Sequence, residues 1–143
     1  MNGARNGGCL CGAVRFEIDP FDTNFGACHC KMCQRWAGSA LLALTVPANT
    51  LTVIGADNVK TYTSSDWADR NFCGTCGSGL WYRVKENDVH HLPIGLLDDT
   101  SGLALKTEIF HDLKPACFEL STTSKKISQA ETLAMFAPQE IQI

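Results

Sequence analysis

Seven of the eight cysteines in this 143-residue chain fall into three tight groups, and that grouping limits what the chain can become more than any other feature. Cys9 and Cys11 form a CxC inside "GGCLCG", Cys28, Cys30 and Cys33 form a CxCxxC in "CHCKMC", and Cys73 and Cys76 form a CxxC inside "CGTCGSG"; Cys117 stands apart. A CxC or CxxC turn aims two sulfurs at one point, and a neighboring glycine lets the backbone bend until its amides face them. The opening "MNGARNGGCLCG" has no apolar stretch of the export-signal kind. The expected compartment is therefore the cytoplasm, where clustered thiols serve as metal ligands or catalytic groups more often than as disulfides.

Structural zinc takes four ligands, whereas catalytic zinc takes three and keeps one position open. Seven thiols divide on that basis into four and three. The turns holding Cys9, Cys11, Cys73 and Cys76 suit one closed, structural site. Cys28, Cys30 and Cys33 make a local platform whose fourth position would take water or substrate, so two zinc ions per chain are expected. Spacing alone leaves other pairings open, such as Cys9 and Cys11 with two of the central three, or a central site closed by His29 or another histidine. Successive side chains on an extended segment point to opposite faces, so His29 should face away from a metal shared by Cys28 and Cys30 and take a packing role. His90, His91 and His111 read as ordinary strand or loop histidines. Cys117, in "KPACFEL", reads as a small buried apolar residue.

Twelve Lys plus Arg against fifteen Asp plus Glu give a formal net charge of −3, which offers no general attraction to a phosphate backbone and argues against nucleic acid as a partner. A local patch drawing together Arg15, Lys31, Arg35, Arg70 and Arg83 is still compatible with this balance. The longest mostly apolar run, Ala37 to Ala48, is short for a bilayer and broken by Pro47, so no membrane association is expected. The length indicates one domain over residues 1–143, while nothing in the sequence speaks to oligomeric state.

The apolar segments are short, rich in β-branched and aromatic residues, and separated by turn residues. They are "AVRFEI" (13–18), "SALLALTV" (39–46), "LTVIG" (51–55), "VKTYT" (59–63), "ADRNFC" (68–73), "LWYRV" (80–84), "VHHLPIGLL" (89–97) and "KTEIF" (106–110). Only "SQAETLAMF", from Ser128 to Phe136, reads clearly as a helix, with Ser128 and Glu131 placed for a capping box. The fold expected is mainly β, built of short antiparallel strands with a short C-terminal helix.

In this order, "GGCLCGAVRFE", "CHCKMCQRWAGS" and "RNFCGTCGSGLWY", followed less closely by "PIGLLDD" and "KTEIFHDLKPACFEL", resemble the glutathione-dependent formaldehyde-activating enzyme family, to which the vertebrate centromere protein V is similar. The resemblance covers roughly residues 7–120. It implies a β-tent fold, a structural zinc at Cys9, Cys11, Cys73 and Cys76, and a catalytic zinc at Cys28, Cys30 and Cys33. The implied activity is condensation of glutathione with formaldehyde to S-hydroxymethylglutathione, a carbon–sulfur lyase reaction in its reverse direction. Two positions depart from the family: it often has an aromatic residue, commonly Trp, where Cys117 stands, and often His where Glu108 precedes Ile109 and Phe110. The segment after Leu120 follows no family pattern.

A zinc held by three thiolates is a soft Lewis acid that suits a further thiolate and would lower the pKa of an incoming thiol, leaving a glutathione sulfur ready to attack formaldehyde. Arg15, Lys31, Arg35 and Arg70 lie near the motifs and are the candidates to hold the carboxylates of such a thiol, with Gln34 offering hydrogen bonds and Trp36 a pocket wall. The main alternative is a zinc-stabilized binding module without catalytic activity, which the acidic balance disfavors for chromatin. A zinc-bearing sulfoxide reductase would need a reactive thiol apart from the metal, and Cys117 is the one available.

Overall fold

The computed structural model describes residues 3–19 and 22–135. In chain order its strands are β1 (Arg5–Gly8), β2 (Arg15–Ile18), β3 (Asn24–Cys28), β4 (Leu41–Pro47), β5 (Leu51–Ile54), β6 (Val59–Thr63), β7 (Ala68–Cys73), β8 (Gly79–Val84), β9 (Val89–Pro93), β10 (Ala104–Ile109) and β11 (Lys125–Lys126). Two short helices join them, α1 (Lys31–Ala37) and α2 (Gln129–Ala134). The mainly β expectation holds, and each of the eight apolar runs overlaps a strand. The ninth prediction, the helix ending at Phe136, is α2; Ser128 accepts from Glu131 N and the Glu131 carboxylate answers at Ser128 N, although Phe136 itself lies outside the described residues.

Three strands and a helix lack such signals. β1 is Arg-Asn-Gly-Gly, weak in strand propensity, and is extended because β2 pairs with it, Gly7 opposite Phe16. Only glycine fits there: a Cβ on Gly7 would stand 2.2 Å from the Leu96 carbonyl oxygen. β3 runs between β10 and β4, parallel to the first and antiparallel to the second. The helix the sequence did not announce is α1, whose N-cap is the thiol of Cys30 accepting from Cys33 N, in place of the usual Ser, Thr, Asp or Asn. Cys33 therefore lies on a helix that starts directly after Cys30.

The chain divides into two compact units, residues 1–23 with 44–102 and residues 24–43 with 103–143. In the first, β1, β2 and β5 form an antiparallel sheet, and β6, β7, β8 and β9 form an antiparallel ladder. Its core includes Val14, Phe16, Ile18, Leu44, Val46, Leu80 and Leu92, all buried, with Arg70 and Asn71 buried as well and Phe16 meeting Trp81 edge to face at 6.0 Å. In the second unit the strand order is β11, β10, β3 and the start of β4, with β10 parallel to both β3 and β11. That core is partly polar: His29, Glu108 and Thr132 are fully buried beside Ala27, Cys33 and Phe110.

Candidate metal centers and a cationic cavity

The cysteine turns gather in two places. Within the first unit, Cys9, Cys11, Cys73 and Cys76 bring four sulfurs within 4.8 Å of one another, and within the second, Cys28, Cys30 and Cys33 bring three within the same distance. His29 joins neither group.

In the four-thiol cluster, Cys9 Sγ lies 3.6 Å from Cys11 Sγ, which lies 3.9 Å from Cys73 Sγ. A tetrahedral ion about 2.3 Å from each sulfur requires sulfurs about 3.8 Å apart, so this spacing fits one. The backbone supports it: Val14 N donates to Cys9 Sγ at 3.3 Å, Ala13 N to Cys11 Sγ at 3.4 Å, and both Thr75 N and Cys76 N to Cys73 Sγ at 3.4 Å. Ser78, a residue the sequence did not single out, ties the two turns: its hydroxyl accepts from Leu10 N at 3.0 Å and sits 3.2 Å from Cys76 Sγ. The Ser78 hydroxyl and amide bring the Cys76 pKa down to about 5. The Ala13 amide would lower that of Cys11 too, but desolvation and the thiols of Cys76, Cys9 and Cys73 push it up to about 11. Four crowded thiols share negative charge unequally, and a dication at their center would let all of them ionize.

The three-thiol cluster is more deeply buried, with Cys28 8%, Cys30 4% and Cys33 1% exposed. Cys28 closes β3, Cys30 caps α1, and Cys33 lies on its buried face, where its amide donates to Cys30 Sγ at 3.3 Å. The thiols of Cys30 and Cys33 raise the Cys28 pKa well above its usual value, and burial adds to this. As a donor set, three converging thiols with an amide on one sulfur fit a soft dication with a position left over.

Between Cys28 and Cys30, His29 packs inward as expected, its Nε2 2.8 Å from Glu108 Oε1 and its ring edge to face with His111 at 5.7 Å. The contact to Glu108 joins residues 79 positions apart, and no sequence spacing signals it. His90 and His91 stand on β9, His90 edge to face with Trp81 at 5.9 Å and His91 stacked on Tyr82 at 4.4 Å.

The five cations considered for a basic patch fall in both units. In the first unit, Arg15 makes a two-pronged ion pair with Asp98 at 3.2 and 2.5 Å, Arg83 pairs with Asp88 at 2.6 Å, and Arg70 is buried over the Tyr82 ring at 4.9 Å. Lys31 and Arg35, one turn apart on α1 in the second unit, both line a cavity of about 360 Å³ together with Gln34, Ser39, Cys117 and Phe118. Two expectations need correction here. Cys117 is exposed and lines this cavity, because a turn at Ala116 and Cys117 leaves Phe118 to pack on His29 at 6.2 Å. Gln34 lines the cavity too, but both donors of its amide nitrogen are committed, to His29 O at 2.7 Å and Leu113 O at 3.0 Å. Trp36, half-buried on the same helix, is not part of the lining.

Short strands carrying paired cysteine turns, with thiols gathered into one group of four and one of three, define a class of small mainly β proteins equipped to hold metal through sulfur. Within that class the relationship is specific. The chain belongs to the glutathione-dependent formaldehyde-activating enzyme family, whose sequence profile matches residues 4–112. It is 24% identical over 128 residues to an uncharacterized lyase of Schizosaccharomyces pombe, covering 89% of this chain and 93% of that protein. It is 36% identical over 83 residues to a Halomonas elongata protein provisionally named a glutathione-dependent formaldehyde-activating enzyme, covering 52% of this chain and 53% of the other. The crystal structure of a Rhodobacter sphaeroides protein, a structural-genomics target, superposes with a TM-score of 0.57 at 28% identity, over 69% of this chain and 90% of that one. Among the described residues no helix is long and apolar enough to cross a membrane.

Proposed function

We propose that the protein is a zinc-dependent carbon–sulfur lyase that joins a small acidic thiol, glutathione, to formaldehyde, with Cys28, Cys30 and Cys33 as the catalytic metal ligands and Cys9, Cys11, Cys73 and Cys76 as the structural ones. The observation that carries the reading is α1: one short helix brings Cys33 to the three-thiol cluster and presents Lys31 and Arg35 to a cavity in the same unit. Family membership and a relative named as a lyase support the reaction class.

In the reaction a C–S bond forms between the thiol sulfur and the formaldehyde carbon while the thiol proton ends on the carbonyl oxygen; in reverse, the thiolate leaves and formaldehyde is released. A zinc at the three thiolates would supply the Lewis acidity that keeps the substrate thiol ionized at neutral pH. The chain's residues do the rest. Lys31 and Arg35, both exposed at the cavity, attract the tripeptide's carboxylates, with Arg35 able to grip one through two parallel hydrogen bonds. Phe118 provides an apolar wall, and Gln34 braces the loop after Cys28 by bridging His29 O and Leu113 O. Holding the thiol at one end and its acids at the other limits its rotation, which is where positioning lowers a bimolecular barrier.

Cobalt substitution tests this. Titrating glutathione into the cobalt-loaded protein should shift the visible and sulfur-to-cobalt bands saturably, and Cys30→Ser should remove the response. Lys31→Ala with Arg35→Ala should raise the glutathione concentration needed by about tenfold or more, two charge-assisted contacts being lost. Bands that ignore millimolar glutathione in the wild-type protein would sink the substrate assignment.

A further inference from the structure

His29 is held at every polar point but one. Its backbone N–H donates to Ile109 O at 3.1 Å, its carbonyl accepts from Gln34 Nε2 at 2.7 Å, and its ring Nε2 meets Glu108 Oε1 at 2.8 Å. Its Nδ1 has no hydrogen-bond partner among the described residues. His29 also stands between Cys28 and Cys30, so the peptide planes that carry both cysteines are those its backbone and ring anchor.

Glu108 is the charged end of this arrangement, and it is fully buried. It sits on β10, in register with Ala27 of β3 on one side and Lys126 of β11 on the other. Ser124 Oγ donates to its Oε2, and Lys126 Nζ stands 3.3 Å from the same oxygen. Lys126 is in turn held by Ser121 O and by Ser124 O and Oγ. Both carboxylate oxygens are thereby occupied. Burial would raise the Glu108 pKa, but Ser124, His29 and Lys126 together bring it below its ordinary value. A buried carboxylate is an expensive way to fill space, since an apolar side chain of similar size would pack there without desolvating a charge. Its use here is directional, because it fixes the ring of the residue between two thiols. Ser124 and Lys126, which fix Glu108, lie beyond residue 112, where the family profile stops matching.

We infer that Glu108 is a positioning residue for the three-thiol cluster, and that Ser121–Lys126 is the brace that holds it, so that a segment outside the family's matched region sets the geometry of the metal site through His29. The inference rests on the reading of Cys28, Cys30 and Cys33 as metal ligands.

The test uses the full chain loaded with cobalt, comparing wild type with Glu108→Ala, Glu108→Gln and Lys126→Met. Competition with a chromophoric chelator gives the affinity of each cluster, visible absorption reports coordination geometry, and near-ultraviolet circular dichroism checks the fold. Glu108→Ala should weaken the three-thiol site by about 10- to 100-fold and move its bands, while leaving the four-thiol site unchanged. Glu108→Gln, which still offers His29 an acceptor, should recover most of that loss, and Lys126→Met should fall between. Wild-type affinity and band positions in Lys126→Met, together with an unchanged or unfolded Glu108→Ala, would overturn the inference. A wild-type protein that takes up only one cobalt overturns both it and the metal assignment beneath it. If wild-type bands ignore glutathione while Glu108→Ala still weakens the second site, the lyase reading falls and the positioning role stands.

Discussion

Cys117 differs from the other seven cysteines in where its sulfur faces. The apolar neighbors in "KPACFEL" suggest burial, yet the segment satisfies that demand with Phe118, and the turn directs the thiol into the cavity with Lys31 and Arg35. With metal in place the seven clustered sulfurs are tied up, so the loaded protein should react with Ellman's reagent at one fast thiol per chain. After chelation and denaturation it should react at all eight cysteines of the sequence. Cys117→Ser should abolish the fast phase, and glutathione bound in the cavity should slow it several-fold. A fast phase that survives the substitution would mean that a clustered thiol is free. The side-chain orientation is a tertiary outcome, invisible in the sequence because "PACF" is equally compatible with either residue facing inward.

Elements show the same division between what local pattern records and what pairing decides. The apolar runs are legible because β-branched and aromatic residues favor a pleated, half-buried backbone, and "VKTYT" and "ADRNFC" become β6 and β7 over the same residues. β1 and β3 are not, because glycine-bearing segments become strands only when partners flank them. α1 is hidden because a thiol replaces the usual capping group, and the contact from Glu108 to His29 is hidden because it spans two strands. The cysteine groups were the most readable part of the site, being local; the residues that brace them, Ser78 and Glu108, act across the fold.

β9 carries a testable consequence of its own. On it, His91 stacks on Tyr82 at 4.4 Å, and loss of solvent, followed by the charges of His90 and Arg70, brings its pKa down to about 4. An unfolded histidine titrates near 6.5, so between about pH 6.5 and 4 the unfolded chain binds a proton that the folded one refuses. The stability His91 contributes is complete above that window and is lost as the pH falls through it, by at most about 2 kcal/mol between pH 6.5 and 5. Urea midpoints at pH 7.5 and 5.0 should therefore drop further for wild type than for His91→Gln, and equal drops would refute the assignment.

For the molecule as a whole, the two thiol groups should fail differently. The four-thiol group joins turns more than sixty residues apart in the first unit, so a metal held there would close a long loop and contribute folding free energy outright. The three-thiol group lies within six residues and constrains little beyond its own turn. Cys73→Ser should yield insoluble or molten protein, and Cys30→Ser a folded chain with its second metal and its thiol response gone. Circular dichroism with metal content per chain separates the cases, and a well-folded, fully metalated Cys73→Ser would refute the structural role. The interleaving of the two units, each assembled from separate stretches of chain, also has a meaning in time. A ribosome delivers Cys28, Cys30 and Cys33 before either Cys76 or Glu108 exists. During synthesis the three-thiol loop would emerge as an unbraced chelator, so a released fragment of residues 1–60 should already bind a soft metal, more weakly than the finished protein.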